Sequence, residues 1–329
     1  MKNIPLSVLE LATVVEGGSI AQAIEGTVEV ARHTESLGYR RIWMAEHHNM
    51  EHIASSATAV LIGHVASKTH TIRVGSGGVM LPNHSPLVIA EQFGTLETIY
   101  PGRIDLGLGR APGTDQITAM ALRRNNIGTT ESFPNDIKQL QAYFNKENST
   151  AKVRAFPGEG LNIPLWILGS STDSAYLAAQ MGLPYAFAAH FAPQQFWTAI
   201  DQYRRYFKPS KQQERPCVMA CVNVIAANTD EEAEYLASSL IRIFTGLVTN
   251  TRKPIQPPGP LPESYSHPDV RTIVNGMLAC TFTGSPDTLR KKLKAFMQET
   301  MVDELMVSST IYDLQTKLKS FTLLKEAME

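Results

Sequence analysis

The 329-residue chain is poor in the features that mark several protein classes. It has three cysteines, Cys217, Cys221 and Cys280, and no C-x-x-C pair. That excludes a disulfide scaffold and points to a reducing compartment, so cytoplasmic placement is expected. Neither sign of charge dominates: 30 Lys and Arg stand against 31 Asp and Glu, and no basic run occurs. Nucleic acid and anionic membrane surfaces are therefore not expected partners. No apolar run approaches the roughly 20 residues of a membrane span. The opening MKNIPLSVLELATVVEGG has one lysine, interior charges and no small-residue cleavage site, unlike a signal peptide. No G-x-G-x-x-G opens a helix after the first apolar run, which counts against an open dinucleotide-binding sheet. No internal repeat or low-complexity tract stands out.

What the chain does have is alternation. Short apolar runs occur at 4–11, 39–45, 71–78, 103–109, 164–170, 184–189, 217–227 and 303–309. Most are apolar at nearly every position, the pattern of parallel strands buried on both faces. Helical patterns lie between them: 21–37 ended by Gly38, 54–67, 86–100, 174–181 ended by Gly182, 193–207, 230–244 and 286–298. Eight strands alternating with helices predict a single (β/α)8 barrel over 1–329, with an open doubly wound sheet as the weaker alternative. Cys217 and Cys221 fall inside a strand and read as packing residues. Two segments interrupt the repeat. Residues 110–135 read as polar and irregular. Residues 247–268 carry six prolines and read either as a solvated linker or as a mobile lid over a site.

The unusual local sequences all follow predicted strands, at the barrel end where active sites sit. In AEHHNMEH (45–52), His48, Glu51 and His52 spell H-x-x-E-H, an inverted zinc-protease signature. Zinc binding would need a helix starting by about His48, and no third ligand is evident, so no metal is expected. Histidines lining a site mouth, or merely packing at a strand end, are the competing readings. In GSGGVMLPNHSP (75–86), Gly77 and Gly78 allow either a flat ligand close to the backbone or a tight turn. In GLGRAPGTD (107–115), Arg110 leaves a strand end to meet an anion or an internal carboxylate. In GSSTDS (169–174), small hydroxyl residues open a helix and suit either an anion or plain N-capping. Together these clusters suggest a barrel that binds a flat, phosphorylated cofactor.

At the same residues, and in the same order, the chain resembles the bacterial luciferase-like flavin monooxygenases. EHH, VGSGGVMLPNHSP, GRIDLGLGRAPGTD, GSSTDSAYLAAQMGLPYAF and the late TGSPDTL carry the likeness over nearly the full length. GRAPGTD and HFAP (190–193) place it nearest an uncharacterised branch rather than the light-emitting subunits. The resemblance implies reduced FMN as cosubstrate, supplied by a separate flavin reductase, with O2 and a small organic substrate. It implies an active-site role for His47 and a cis peptide at Gly77-Gly78 under the flavin ring. It also implies flavin contact by Arg110, phosphate binding by Ser170, Ser171, Ser174 and either Arg123 or Arg124, and placement of His190 and Phe191 against the ring. A homodimer through the helices after strands two and three is a further expectation. Gly109 stands where light-emitting subunits carry cysteine, so light emission is not expected. Hydride transfer with a deazaflavin, or flavin binding without catalysis, are the alternative functions.

Overall fold

The computed structural model describes residues 4–111, 115–122 and 129–329. In chain order the elements are β1 Leu6–Glu10, α1 Ile20–Ser36, β2 Arg41–Met44, α2 Thr58–Ala66, β3 Arg73–Met80, α3 Pro86–Ile99, β4 Ile104–Gly109, α4 Gln116–Leu122 and α5 Thr129–Phe144. They continue as β5 Leu165–Gly169, α6 Thr172–Met181, β6 Tyr185–Phe187, α7 Phe196–Tyr206, β7 Val218–Ala226 and α8 Asp230–Val248. The last are α9 Pro268–Met277, β8 Thr281–Gly284, α10 Pro286–Thr300, β9 Glu304–Ser308 and α11 Leu314–Met328.

All eight predicted strands form. Parallel pairing runs β1-β2-β3-β4-β5-β6-β7-β9 and returns from β9 to β1, closing an eight-stranded TIM-like barrel. A ninth strand, β8, was not predicted. It is four residues long and only half-buried, too short to show a pattern, and it pairs with the C-terminal half of β7. The apolar strands are explained by their two faces. Leu9, Trp43, Trp166, Met219, Cys221 and Met306 form a cluster in the barrel lumen. Their neighbours Val8, Ile42, Ile167, Val218 and Val307 face outward and join the core under the helices.

Local signals set most helix ends. Ser19 and Gln22 form a capping box at α1, and Gly38 takes a left-handed φ of 73° just beyond it. Gly182, at φ 62°, ends α6 in the same way. Other predicted boundaries need correction. The helix expected over 54–67 begins only at Thr58, because 54–57 turn against the N-terminal segment, where Ala54 N–H donates to Ala12 O at 3.0 Å. Pro193 opens a short 3-10 turn, and α7 starts at Phe196. The stretch read as irregular contains α4 and the start of α5, while α8 extends through Val248. The 247–268 segment is not a free linker: Ile255 is buried and bridges to Val15 in the segment that follows β1.

The N-terminal end of the lumen is closed by ions. Arg41 donates to Asp105 at 2.7 Å and to both oxygens of Glu304 at 2.8 and 3.3 Å. Arg73 grips Asp105 from the rim at 2.6 and 2.9 Å, Trp43 adds an indole N–H at 3.1 Å, and Ser7 donates to Glu304. Burial alone would lower the Arg41 pKa, but the two carboxylates raise it, so the guanidinium stays charged. Arg41→Met would leave Glu304 and Asp105 short of their shared cation in a dry lumen. A loss of about 3 kcal/mol in unfolding free energy is expected, the lower end for a broken buried pair because Arg73 stays on Asp105. A urea midpoint equal to wild type at neutral pH would show that the cluster is dispensable.

Candidate active site

The opposite end of the barrel is open. A cavity of about 500 Å³ lies there, within the roughly 300–1,000 Å³ of small-molecule sites. It brings together His47, Gly77, Gly78, Arg110, Ser170, Ser171, Ser174, His190 and Phe191, every site residue read from the sequence that the structure describes. Arg123 and Arg124 lie outside the described residues.

The floor is β3. The Gly77–Gly78 peptide is cis. A Cβ on Gly77 would sit 2.7 Å from a Leu9 methyl, and one on Gly78 would sit 2.8 Å from the Gly107 carbonyl. Barrel packing therefore demands glycine at both positions, and the result is a backbone surface bare of side chains beneath the cavity.

One end of the cavity is polar. Ser171 caps α6, its Oγ accepting from the Ser174 N–H. Arg110 projects from the end of β4, 40% exposed, with its guanidinium 3.8 Å from Asp173. Ser174 departs from expectation. Its hydroxyl donates to the Ser171 carbonyl at 2.8 Å and contacts the Tyr185 hydroxyl at 2.9 Å, so it braces the turn from below. Gly169 makes room for it, since a Cβ there would lie 2.0 Å from Ser174 Oγ. Ser170, Ser171 and Arg110 are the polar groups left at this end.

His47 and His190 lie on the walls. His47 N–H donates to Ser55 O at 3.1 Å, which ties the end of β2 to the following turn. His190 lies beyond β6, its carbonyl taking the Asn223 amide at 2.6 Å and its ring edge-on to Phe191. Its Nδ1 is buried with no hydrogen-bond partner. Burial, then the positive charge of nearby His47, pushes the His190 pKa down to about 4. His190 is thus neutral at pH 7, and its orphan Nδ1 is a place for a ligand polar atom.

The H-x-x-E-H reading fails on geometry, because 47–57 contains no helix. A different trio forms instead. Glu46 is buried, and its Oε1 accepts from His48 Nε2 at 3.0 Å and His84 Nε2 at 2.8 Å. Burial would raise the Glu46 pKa, but these two imidazoles and their charge outweigh it and hold the carboxyl below its usual value. The carboxylate clamps the end of β2 to the turn after β3. The three ligand atoms lie within 4.8 Å of one another, close enough for a metal ion. With both imidazoles donating to one oxygen, the trio is satisfied by hydrogen bonds alone. Less than 0.1 zinc per chain (about a tenth) is expected in protein purified without chelator, measured by elemental mass spectrometry. One zinc per chain, lost in Glu46→Gln, would make the trio a metal centre.

Several lining residues escaped the sequence reading. The α8 residues Leu240, Ile243, Phe244 and Leu247 form an apolar wall, and their i, i+3, i+4, i+7 spacing was the available signal. Arg252, Lys253 and Ile255 continue that wall from the following loop. Their facing could not be read from local pattern, because an isolated bridge to Val15 sets it.

The luciferase-like monooxygenase family model matches residues 6–304. The chain belongs to this family. A luciferase-like monooxygenase of Escherichia coli K12 is 48% identical over 100% of this chain and 98% of its own length. An N-acetyl-S-alkylcysteine monooxygenase of Bacillus subtilis is 37% identical over 70% of each chain. Among solved structures, apo-MsnO8 superposes with a TM-score of 0.90 at 35% identity, covering 98% of both chains. At 18% and 12% identity the fold recurs in two proteins with different cofactors. One is the FMN-bound oxygenating constituent of 3,6-diketocamphane monooxygenase from Pseudomonas putida, TM-score 0.72 over 98% of this chain and 97% of the other. The other is an F420-dependent secondary alcohol dehydrogenase, TM-score 0.70 over 99% of both. No described helix is long and apolar enough to cross a membrane.

The titration of His190 has a sign that can be checked. Unfolded, it binds a proton near pH 6.5; folded, it does so only near 4. Between those values the unfolded state holds more protons, so this group's contribution to stability is intact above pH 6.5 and is lost as pH falls toward 4. His190→Asn is expected to lose less stability than wild type between pH 7 and 5 in urea unfolding. Equal losses would place the buried imidazole elsewhere.

Proposed function

We propose that the protein is a flavin-dependent monooxygenase that takes reduced FMN from a separate reductase and uses it with O2 on a small organic substrate. The observation that carries this is one cavity holding both a side-chain-free floor at Gly77–Gly78 and a cationic, hydroxyl-rich end at Arg110, Ser170 and Ser171. A planar ring with a phosphate tail matches that pairing. The orphan Nδ1 of His190 fits the same ligand, since a polar ring edge would give it a partner. Bound in reduced form, FMN would supply the electrons that activate O2.

The chain's own residues then have separable tasks. Ser170, Ser171 and Arg110 hold the phosphate, where α6 directs its positive dipole end. The α8 wall excludes water from the reacting centre. His47, on the cavity wall, hydrogen-bonds to flavin or substrate and moves a proton, a task suited to an imidazole, whose two ring nitrogens can donate and accept. His190 stays uncharged beside it.

An anaerobic fluorescence titration tests this reading. Reduced FMN is expected to bind more tightly than reduced F420, with Arg110→Ala and Ser171→Ala each weakening it by about tenfold, the scale of one charge-assisted hydrogen bond. With a turnover substrate in hand, His47→Ala should cut kcat by about a hundredfold with little change in FMN affinity. Preference for F420 with oxygen-independent turnover would move the assignment to hydride transfer, and no flavin binding would end it.

A further inference from the structure

The cavity has a second charged end. Arg252 and Lys253 line it from the loop after α8, together with half-buried His52. That loop is held against the segment that follows β1: Ile255 N–H donates to Val14 O at 3.1 Å, and Glu16 N–H donates to Ile255 O at 2.8 Å. It is also tucked against α8, where Thr251 N–H donates to Gly246 O at 2.7 Å. β1 is four strands from β5 in either direction around the barrel, so the segment holding this loop leaves the ring opposite the strand that carries Ser170 and Ser171.

Its charge is not neutralised locally. Among the described residues, neither Arg252 nor Lys253 makes an ion pair. The carboxylate deepest in this part of the cavity, Glu10, is already matched by Lys317 at 2.6 Å. Glu16 accepts from the Gln256 side chain at 3.2 Å. Glu51 acts on His52, but burial and then Arg252 dominate there and lower the His52 pKa, as expected in a positive field. The same cavity is lined by the apolar residues Leu240, Ile243, Phe244 and Leu247 of α8 and by Ile53.

One FMN has one phosphate, and the first end accounts for it. We propose that Arg252 and Lys253 form a second anion pole, and that with the α8 wall they select a small organic anion, a carboxylate or sulfonate head on an apolar body, as the substrate class. This rests on the cofactor reading above. A charged head held at the β1 side would lay an apolar body along α8 toward the Gly77–Gly78 floor, so the carbon or sulfur to be oxygenated would be remote from the anionic group.

Calorimetric titration tests the pole without knowing the substrate. Octanoate, octanol and octylammonium are added to the protein alone and to the FMN-loaded protein. Octanoate is expected to bind at least tenfold tighter than octanol (about 1.4 kcal/mol), and octylammonium more weakly than either. The double variant Arg252→Gln, Lys253→Gln should lose that preference while keeping its octanol affinity, its melting temperature and, within about twofold, its FMN affinity. Equal binding of octanoate and octanol by wild type overturns the proposal. So does an octanoate preference that survives in the double variant, or a tenfold loss of FMN affinity, which would put the phosphate at this pole. If no flavin binds but the octanoate preference appears and depends on both cations, the anion pole stands and the cofactor reading fails.

Discussion

Closure of the parallel sheet is the constraint on which the rest depends. Every strand of the eight-stranded ring shares hydrogen bonds on both sides, so the ring has no open edge, and its residues lie in the lumen or under a helix. A lumen of this size must be filled. At the N-terminal end Arg41, Asp105 and Glu304 fill it as a hydrogen-bonded ionic cluster above which Trp43 and Trp166 meet edge to face. At the other end β4 and β5 finish in Gly109 and Gly169 and β3 runs through Gly77 and Gly78, and the cavity opens over this bare backbone. Stability and function are thus divided between the two ends of one barrel.

The same closure explains why the fold could be read from the chain. Strands buried on both faces leave uninterrupted apolar runs, and eight of these gave eight strands. The ninth, Thr281–Gly284, left no such trace because it is short, half-buried and paired along one side only. Helix boundaries were legible where a residue type is required, as at Gly38 and Gly182. They failed at 54–57, where a tertiary hydrogen bond to Ala12 overrides a helix-compatible sequence.

The site was legible for a related reason. Its glycines, hydroxyl residues and histidines depart from the strand and helix patterns around them, so they stood out, and seven of them meet in one cavity with Arg110 and Phe191. Two stretches lie at the cavity with contacts that their local sequence does not show. Ser174 lines its polar end yet spends its hydroxyl on Ser171 and Tyr185. The histidine-rich stretch after β2 is a true cluster, but its partner is His84, thirty-eight positions from Glu46 and beyond any local pattern. The α8 wall was missed because hydrophobic spacing on a helix does not distinguish a core face from a cavity face, and the two cations after it, within the segment read as a linker or lid, because a long-range bridge to Val15 sets their loop.

The Glu46 clamp has a wider consequence. One buried carboxylate joins the end of β2 to the turn after β3, so the histidine wall and the glycine floor are parts of a single braced unit. The facing wall, from Leu240 to Ile255, belongs to a helix and loop outside the strand ring. Changes there would reshape one half of the cavity without disturbing the other. The molecule is in this sense modular across its mouth: one wall is tied into the strand ring, and the other can be redrawn without touching it.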